Sequence, residues 1–266
     1  MDKTYASAAD AVTDIPQGAS LAVGGFGLSG VPIVLIRALL ERGVGGLTVV
    51  SNNCGVDGWG LGELLSAGRI RRVIASYIGE NKEFARQYLG GEVEVELTPQ
   101  GTLAERLRAG GVGIPAFYTA TGAGTAVSDG GMPVRYAADG SVAEQSEPKE
   151  LRPFDVLGRS REYVLETAIR TDYGLVRAAV GDRHGNLRFE KSCRNFNPLA
   201  GMAGRVVIAE VDRLVEPGEI DPDDVHLPGI YVDRVIELTP QQSTDLPIEK
   251  VTVRPRPAQG SDAEED

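Results

Sequence analysis

The sequence has little cysteine, histidine or positive charge, and it has no long hydrophobic run. Its two cysteines, Cys54 and Cys193, stand far apart, without the close pairing of a disulfide framework or a cysteine metal site. The 27 lysines and arginines are outnumbered by 38 aspartates and glutamates, which gives a formal charge of −11. Nucleic acids and anionic membranes attract clustered lysine and arginine. We therefore expect no metal, nucleic-acid or membrane partner, and the expected partners are proteins or small molecules.

The absence of apolar runs also bears on location. No segment approaches the roughly twenty continuous apolar residues that cross a bilayer. The first fifteen residues lack the apolar centre of a secretory signal and carry four charges: Asp2, Lys3, Asp10 and Asp14. Two widely separated cysteines fit a reducing compartment. The sequence therefore predicts a cytoplasmic protein.

The first half of the chain alternates short β-branched runs with segments of helical periodicity. Strands are predicted at residues 20–23, 47–50, 73–76, 93–97 and 114–118. Helices are predicted at residues 32–41, 61–66, 82–89 and 102–109, with Pro32 in a first helical turn. This alternation indicates an α/β fold with an open, mostly parallel sheet and helices on both faces.

The pattern changes after residue 122. Glycine, serine and aspartate dominate residues 122–140, and this composition favours turns and loops outside the sheet. Apolar runs return at residues 163–165, 175–180, 186–189 and 206–211, so we expect the same core to continue with a mixed sheet. Residues 1–242 are predicted to form one domain. A C-terminal segment, 243–266, follows and ends in an acidic tail at 254–266 that is too poor in apolar residues to be ordered.

Ligands of open parallel sheets bind beyond the carboxyl ends of the strands. The candidate loops are therefore residues 24–31, 51–60 and 98–101. The first loop has the dinucleotide-binding spacing G-x-G-x-x-G, at Gly25, Gly27 and Gly30. An NAD-dependent enzyme also needs an acid at the end of the second strand to hold a ribose, but asparagines stand there. The spacing alone leaves NAD binding, another ligand role and a simple tight turn open.

Amide side chains follow two of the strands. Asn52 and Asn53 could aim N–H groups at a carbonyl or carboxylate oxygen, or they could cap a turn. Gln100 could act as an oxyanion donor or lie exposed in a loop. Glu80 could be a carboxylate nucleophile, although an acid at the start of a helix is favourable on electrostatic grounds alone.

Three other reactive residues carry no predicted chemistry. His184 and His226 have no serine or cysteine at a recognisable motif spacing and are expected on the surface. Cys54 fits either a small apolar plug or a reactive thiol, and burial is the commoner fate of such a residue.

Several strings of the sequence together resemble the family I coenzyme A transferases. They are VGGFGLSGVP (23–32), LTVVSNNCGVDGWGLGELL (47–65), SYIGENKEFARQYLGGEVEVELTPQGTLAERLRAGG (76–111), GIPAFYTATGAGT (113–125), GDRHGNLRF (181–189) and RNFNPLAG (194–201). The resemblance covers residues 4–238, and the string GENKEFARQYL favours alpha subunits that act on succinyl-CoA and a 3-oxoacid. Two residues depart from the family pattern: Gln17, where Asp or Asn is usual, and Cys54, where Ala is common.

The resemblance implies an open α/β fold and a ping-pong exchange through a glutamyl-CoA thioester. In this family the nucleophilic glutamate lies in a Ser-Glu-Asn-Gly segment of a beta subunit, so this chain is expected to need that partner. The segment Glu80-Asn81-Lys82 lacks the glycine and matches a helical part of the alpha half instead. Acyl-CoA and the 3-oxoacid are then substrates, and no cofactor or metal is expected.

The resemblance also assigns site residues. Asn52, Asn53 and Gln100 match the amides that line the alpha side of the family's shared site, and Gln100 is expected to orient the glutamate or stabilise its thioester oxyanion. The glycine loop would let the backbone approach the partner and the acyl-CoA, at Gly24, Gly25, Gly27 and Gly30. The expected reaction moves CoA from succinyl-CoA to acetoacetate. The alternatives are 3-oxoadipate as acceptor, an NAD-dependent oxidoreductase, and a binding module without catalysis.

Overall fold

The centre of the molecule is an eight-stranded sheet, seen in a computed structural model that describes residues 1–245. The strands of the chain are β1 (Ser20–Val23), β2 (Leu47–Val50), β3 (Ile70–Ala75), β4 (Glu94–Leu97), β5 (Ala116–Thr119), β6 (Pro133–Tyr136), β7 (Val142–Gln145), β8 (Leu151–Val156), β9 (Arg159–Thr167), β10 (Thr171–Asp182), β11 (Leu187–Arg188), β12 (Gly204–Val215) and β13 (Arg234–Glu237). The central sheet has the order β13-β12-β10-β1-β2-β3-β4, with every neighbouring pair parallel.

Helices cover both faces of this sheet. They are α1 (Ala8–Ala11), α2 (Ile33–Arg42), α3 (Leu61–Ser66), α4 (Lys82–Leu89), α5 (Gln100–Gly111), α6 (Ala126–Asp129), α7 (Asn197–Ala203) and α8 (Pro240–Ser243). Side chains alternate along β1, so Leu21 and Val23 pack in the core with α2, α3 and α4. Ala22 points to the other face and packs in the core with α5 and α7. The predicted fold class is confirmed.

The prediction of a fifth parallel strand at residues 114–118 is wrong. The strand begins at Ala116 and pairs antiparallel with β9, which joins β8 in a separate three-stranded sheet. All residues of β5 stay partly exposed, whereas a strand inside a parallel sheet has both faces covered. The apolar run at 163–165 belongs to β9 and also lies outside the central sheet. The central sheet is nevertheless mixed, as predicted, because β11 runs antiparallel to β10.

The glycine-rich stretch 122–140 leaves the central sheet, as predicted, but it contains packed elements. Both α6 and β6 lie in it, and Val134 of β6 is buried. The hydroxyl of Tyr88, on α4, donates to Pro133 O at 2.6 Å, which fastens β6 to that helix. The prediction of turns alone is therefore wrong, because composition does not report contacts with distant elements.

Two helix starts and one strand start also differ from prediction. Helix α5 begins at Gln100, inside the predicted loop 98–101. Pro32 is the N-cap of α2 and does not lie in its first turn. Strand β3 begins at Ile70, before the predicted start at 73, because Arg71 and Arg72 interrupt the apolar pattern at that strand's beginning.

Within residues 1–245, no helix is long and apolar enough to span a membrane. The acidic tail predicted at 254–266 lies outside the described residues. The division of the chain at residue 242 therefore stays a prediction.

A buried carboxylate fixes the start of the helix that follows β1. Glu210, on β12, is fully buried, and its Oε2 accepts the Leu35 N–H of the first turn of α2 at 2.9 Å. Pro32 at the N-cap offers no side-chain acceptor, so Glu210 satisfies a helix amide that would otherwise be orphaned. The guanidinium of Arg177, on β10, lies 3.5 Å from Glu210 and 2.8 Å from Asp212. These contacts join β10, β12 and α2.

The ionisation of Glu210 should make stability depend on pH. Burial raises its pKa from 4.5 to about 7, although Arg177 draws it downward. Because the folded pKa exceeds the unfolded one, the stabilisation is present at low pH and is lost as the pH rises through about 7. We expect the free energy of unfolding of the native chain, relative to Glu210→Gln, to fall from about pH 5 to pH 7 and then level off. Urea unfolding of both proteins across this range measures the difference, and a constant difference would contradict the prediction.

Candidate active site

The loops after β1, β2 and β3 and the start of α5 surround a cavity of about 510 Å³ at the carboxyl ends of the strands. Polar and charged lining residues are Asn52, Asn53, Ser76, Glu80 and Gln100, and large apolar ones are Phe26, Leu28, Val56 and Tyr77. All three amides predicted from the sequence thus line one cavity. Of the predicted glycines, Gly27 lines it, whereas Gly24, Gly25 and Gly30 do not.

Two tight turns of similar construction shape one side of the cavity. After β1, the backbones of Phe26 and Ser29 exchange two hydrogen bonds of 3.0 Å. After β2, the backbones of Val56 and Trp59 do the same at 3.3 and 3.2 Å. Each turn holds an apolar side chain, Phe26 or Val56, against the cavity.

Glycine is required where these turns begin. Gly25 has φ +114°, and a Cβ there would lie 2.8 Å from the Val31 side chain. Gly55 has φ +64°, and a Cβ there would lie 2.5 Å from Trp59 O. The turn geometry is therefore a sufficient reason for Gly25. A Cβ at Gly27 would meet nothing within 4 Å, so the backbone is open to a ligand there.

Asn197, which the residue-by-residue interpretation missed, holds the glycine loop from below. It is fully buried, donates from Nδ2 to Gly30 O at 2.9 Å and accepts the Arg177 N–H on Oδ1 at 2.9 Å. A Cβ at Gly24 would lie 1.9 Å from Asn197 Oδ1, and one at Gly30 would lie 2.7 Å from its Nδ2. Gly24 and Gly30 therefore make room for Asn197. The only sequence signal for this residue was its place in the string RNFNPLAG.

The three amides are linked through one oxygen atom. Gln100 donates from Nε2 to Asn52 Oδ1 at 2.8 Å, and the Ser76 hydroxyl donates to the same oxygen at 2.9 Å. Asn52 is 4% exposed, and its Nδ2 points to Asn53 Oδ1 at 3.4 Å. Sequence reasoning missed Ser76, because a lone serine after a strand has no motif. The second hydrogen on Gln100 Nε2 has no acceptor among residues 1–245 and remains for an oxygen in the cavity.

A second asparagine fastens the loop after β2 to the loop after β3. Asn81 donates from Nδ2 to Cys54 O at 2.8 Å, and its Oδ1 caps α4 by accepting the Phe84 N–H at 2.9 Å. Cys54 is buried, which raises the pKa of its thiol to about 12. A thiol with that pKa is protonated at neutral pH, so Cys54 is a packing residue. Asn81 thereby also sets the position of Glu80, its exposed neighbour at the cavity.

The histidines do not take part in this site. His184 is exposed, and His226 accepts the Phe189 N–H on Nδ1 at 3.0 Å; neither lines the cavity. Burial, followed by the charge of Arg194, lowers the pKa of His226. In the described part of the chain, no group of three or more His, Cys, Asp or Glu residues is placed to hold a metal ion.

Comparisons with known proteins agree with this architecture. The family model described as Coenzyme A transferase matches residues 5–238. One of the two subunits of a probable succinyl-CoA:3-ketoacid coenzyme A transferase of Mycobacterium tuberculosis is 61% identical over 254 residues, which are 96% of this chain and 100% of the relative. The human mitochondrial succinyl-CoA:3-ketoacid coenzyme A transferase 2 is 50% identical over 94% of this chain, but the match spans only 47% of the human protein.

The fold is shared more widely. The crystal structure of an acyl-CoA transferase from Escherichia coli O157:H7 superposes with a TM-score of 0.74 over 91% of this chain and 48% of the other, at 24% identity. The match to the family model and the similarity to the mycobacterial protein both extend over nearly the whole chain. The chain therefore belongs to the coenzyme A transferase family.

Proposed function

We propose that this chain is the alpha subunit of a succinyl-CoA:3-oxoacid coenzyme A transferase and that, with a beta subunit, it moves CoA from succinyl-CoA to acetoacetate. The observation that carries the proposal is a cavity lined by converging amides, Asn52, Asn53 and Gln100, without an activated nucleophile beside them. Cys54 is buried and protonated, and Glu80 accepts no hydrogen bond from the rest of residues 1–245. The amides are thus donors that lack a reacting group to act on.

The relatives' lengths support a separate partner. The mycobacterial protein is named as one subunit of its enzyme and is matched over its whole length, whereas nearly half of the human protein is matched. The rest of the human chain has no counterpart here, so another polypeptide has to supply what that part contributes. CoA thioesters take part as substrates, and the proposal includes no resident cofactor. The cytoplasmic location stays a prediction.

The exchange then follows from amides aimed at a carboxylate. A glutamate that the beta subunit supplies attacks the succinyl-CoA carbonyl and expels the CoA thiolate, which leaves a mixed anhydride. The thiolate attacks the glutamyl carbonyl of that anhydride, and succinate leaves as the glutamyl-CoA thioester forms. Acetoacetate repeats the two steps in reverse and departs as acetoacetyl-CoA. Each tetrahedral intermediate carries an oxyanion, which the available N–H of Gln100 can stabilise.

Removal of the Gln100 amide should slow the exchange. We expect Gln100→Ala to lower kcat about a hundredfold, the effect typical of one lost oxyanion donor, while the complex still assembles. Gln145→Ala, on the exposed strand β7, is the matched control and should leave kcat unchanged. Steady-state kinetics with size-exclusion analysis of both complexes makes the comparison. Equal turnover in Gln100→Ala and the control would remove the assigned role.

The substrate assignment is tested on the complex that co-purifies when the chain is co-expressed with the adjacent reading frame. We expect exchange between succinyl-CoA and acetoacetate, followed as formation of acetoacetyl-CoA. Turnover with 3-oxoadipate but not with acetoacetate would favour the alternative acceptor. A complex that exchanges nothing would favour the binding module without catalysis.

The NAD-dependent alternative meets a physical obstacle at the glycine loop. A pyrophosphate binds at the N-terminus of the helix that follows such a loop, where the free amides of the first turn point at it. Here Glu210 already accepts the Leu35 N–H, so a negative charge occupies that position. The end of β2 carries amides, Asn52 and Asn53, in place of the ribose-binding acid.

NADH should therefore not bind. Titration of the purified chain with NADH, followed by nucleotide fluorescence, should show no saturable change at micromolar concentrations. Saturable binding in that range would revive the oxidoreductase alternative.

A further inference from the structure

Glu80 holds a backbone conformation that its residue type disfavours. Its φ is +62°, in the left-handed region that suits glycine or asparagine. The side chain is exposed, and within residues 1–245 its carboxylate has no hydrogen-bond or ion-pair partner. The fold therefore gains nothing visible from a carboxylate at this position. Residues that break a local rule without structural compensation are expected at functional sites.

Glu80 also determines the charge of this chain's side of the cavity. The other lining residues are glycines, apolar or aromatic side chains, a serine and the amides. Among residues 1–245, no lysine or arginine lines the cavity to balance Glu80. An approaching substrate thus meets one negative charge on this wall and no positive one.

The position of that charge relative to the amides sets which end of a substrate meets it. Asn52 lies at the buried floor of the cavity, whereas Glu80 lies at its exposed rim. The reacting carboxylate of an acceptor faces the amides, so the remote end of the acceptor extends toward the rim. Acetoacetate ends there in a neutral methyl group. A dicarboxylic 3-oxoacid such as 3-oxoadipate ends in a second carboxylate, whereas the shorter succinyl group keeps its carboxylate closer to the reacting carbon.

We propose that Glu80 is a specificity-determining residue that makes the complex prefer a monocarboxylic 3-oxoacid over a dicarboxylic one. The preference arises because like charges repel across the rim of the cavity, while both acceptors present the same reacting group to the amides. This inference rests on the proposed function, because it concerns the acceptor of that same exchange. It assigns Glu80 no part in the covalent steps.

The test compares kcat/KM for acetoacetate and 3-oxoadipate in the co-purified complex. We expect Glu80→Gln to raise the value for 3-oxoadipate relative to acetoacetate by up to about fivefold, the effect of one partly exposed charge. Glu80→Asp keeps the charge and should keep the preference. Glu41→Gln, at the far end of α2, removes an exposed carboxylate away from the cavity and should change neither value. Added salt should weaken the preference in the native complex but not in Glu80→Gln, because salt screens exposed charges.

Each outcome has one consequence. An unchanged acceptor ratio in Glu80→Gln, with an active native complex, would overturn the assignment of Glu80 and leave the proposed function intact. Loss of exchange with both acceptors would also overturn it, because Glu80 would then be needed for the chemistry. A native complex without any exchange would refute the proposed function itself. Glu80→Gly, which relieves the backbone conformation and removes the charge, should match Glu80→Gln in acceptor ratio if the charge alone is responsible.

Discussion

The site depends on the side-chain oxygen of Asn52. That oxygen accepts hydrogen bonds from Gln100 at 2.8 Å and from Ser76 at 2.9 Å, so it joins the ends of β2 and β3 to the first residue of α5. An amide next to an amide can pair in either direction, but here the oxygen of Asn52 receives both donors. Gln100 consequently keeps a hydrogen for an oxygen in the cavity. A parallel sheet makes this possible, because it brings the carboxyl ends of neighbouring strands to one edge.

Around these amides, buried polar groups hold the backbone in place. Asn197 binds the glycine loop, Asn81 ties the loop after β2 to α4, and Glu210 binds the start of α2. Each satisfies backbone groups that would otherwise be unpaired in the interior. The same carboxylate of Glu210 that positions α2 occupies the place where a dinucleotide would bind. The glycine spacing of a nucleotide-binding loop therefore occurs here with a structural purpose, and two of its glycines make room for side chains of the core.

Sequence patterns predicted the local and periodic features. Strands β1 and β2 were predicted to the residue, because their apolar runs end at glycine or asparagine. The amides Asn52, Asn53 and Gln100 were found because they follow strands. Ser76 and Asn197 were not found from spacing, since their roles depend on contacts between segments far apart in the chain. The separate sheet of β5, β8 and β9 was missed for the same reason: a short apolar run does not reveal which strand it pairs with.

The central claim is that this chain holds the donors of a transferase site while a partner holds the nucleophile. Intact mass measurement of both polypeptides, after the complex is incubated with succinyl-CoA and no acceptor, tests it most directly. The account predicts that the partner gains the mass of CoA less one water and that the mass of this chain stays unchanged. A CoA adduct on this chain, at Glu80 or elsewhere, would contradict it.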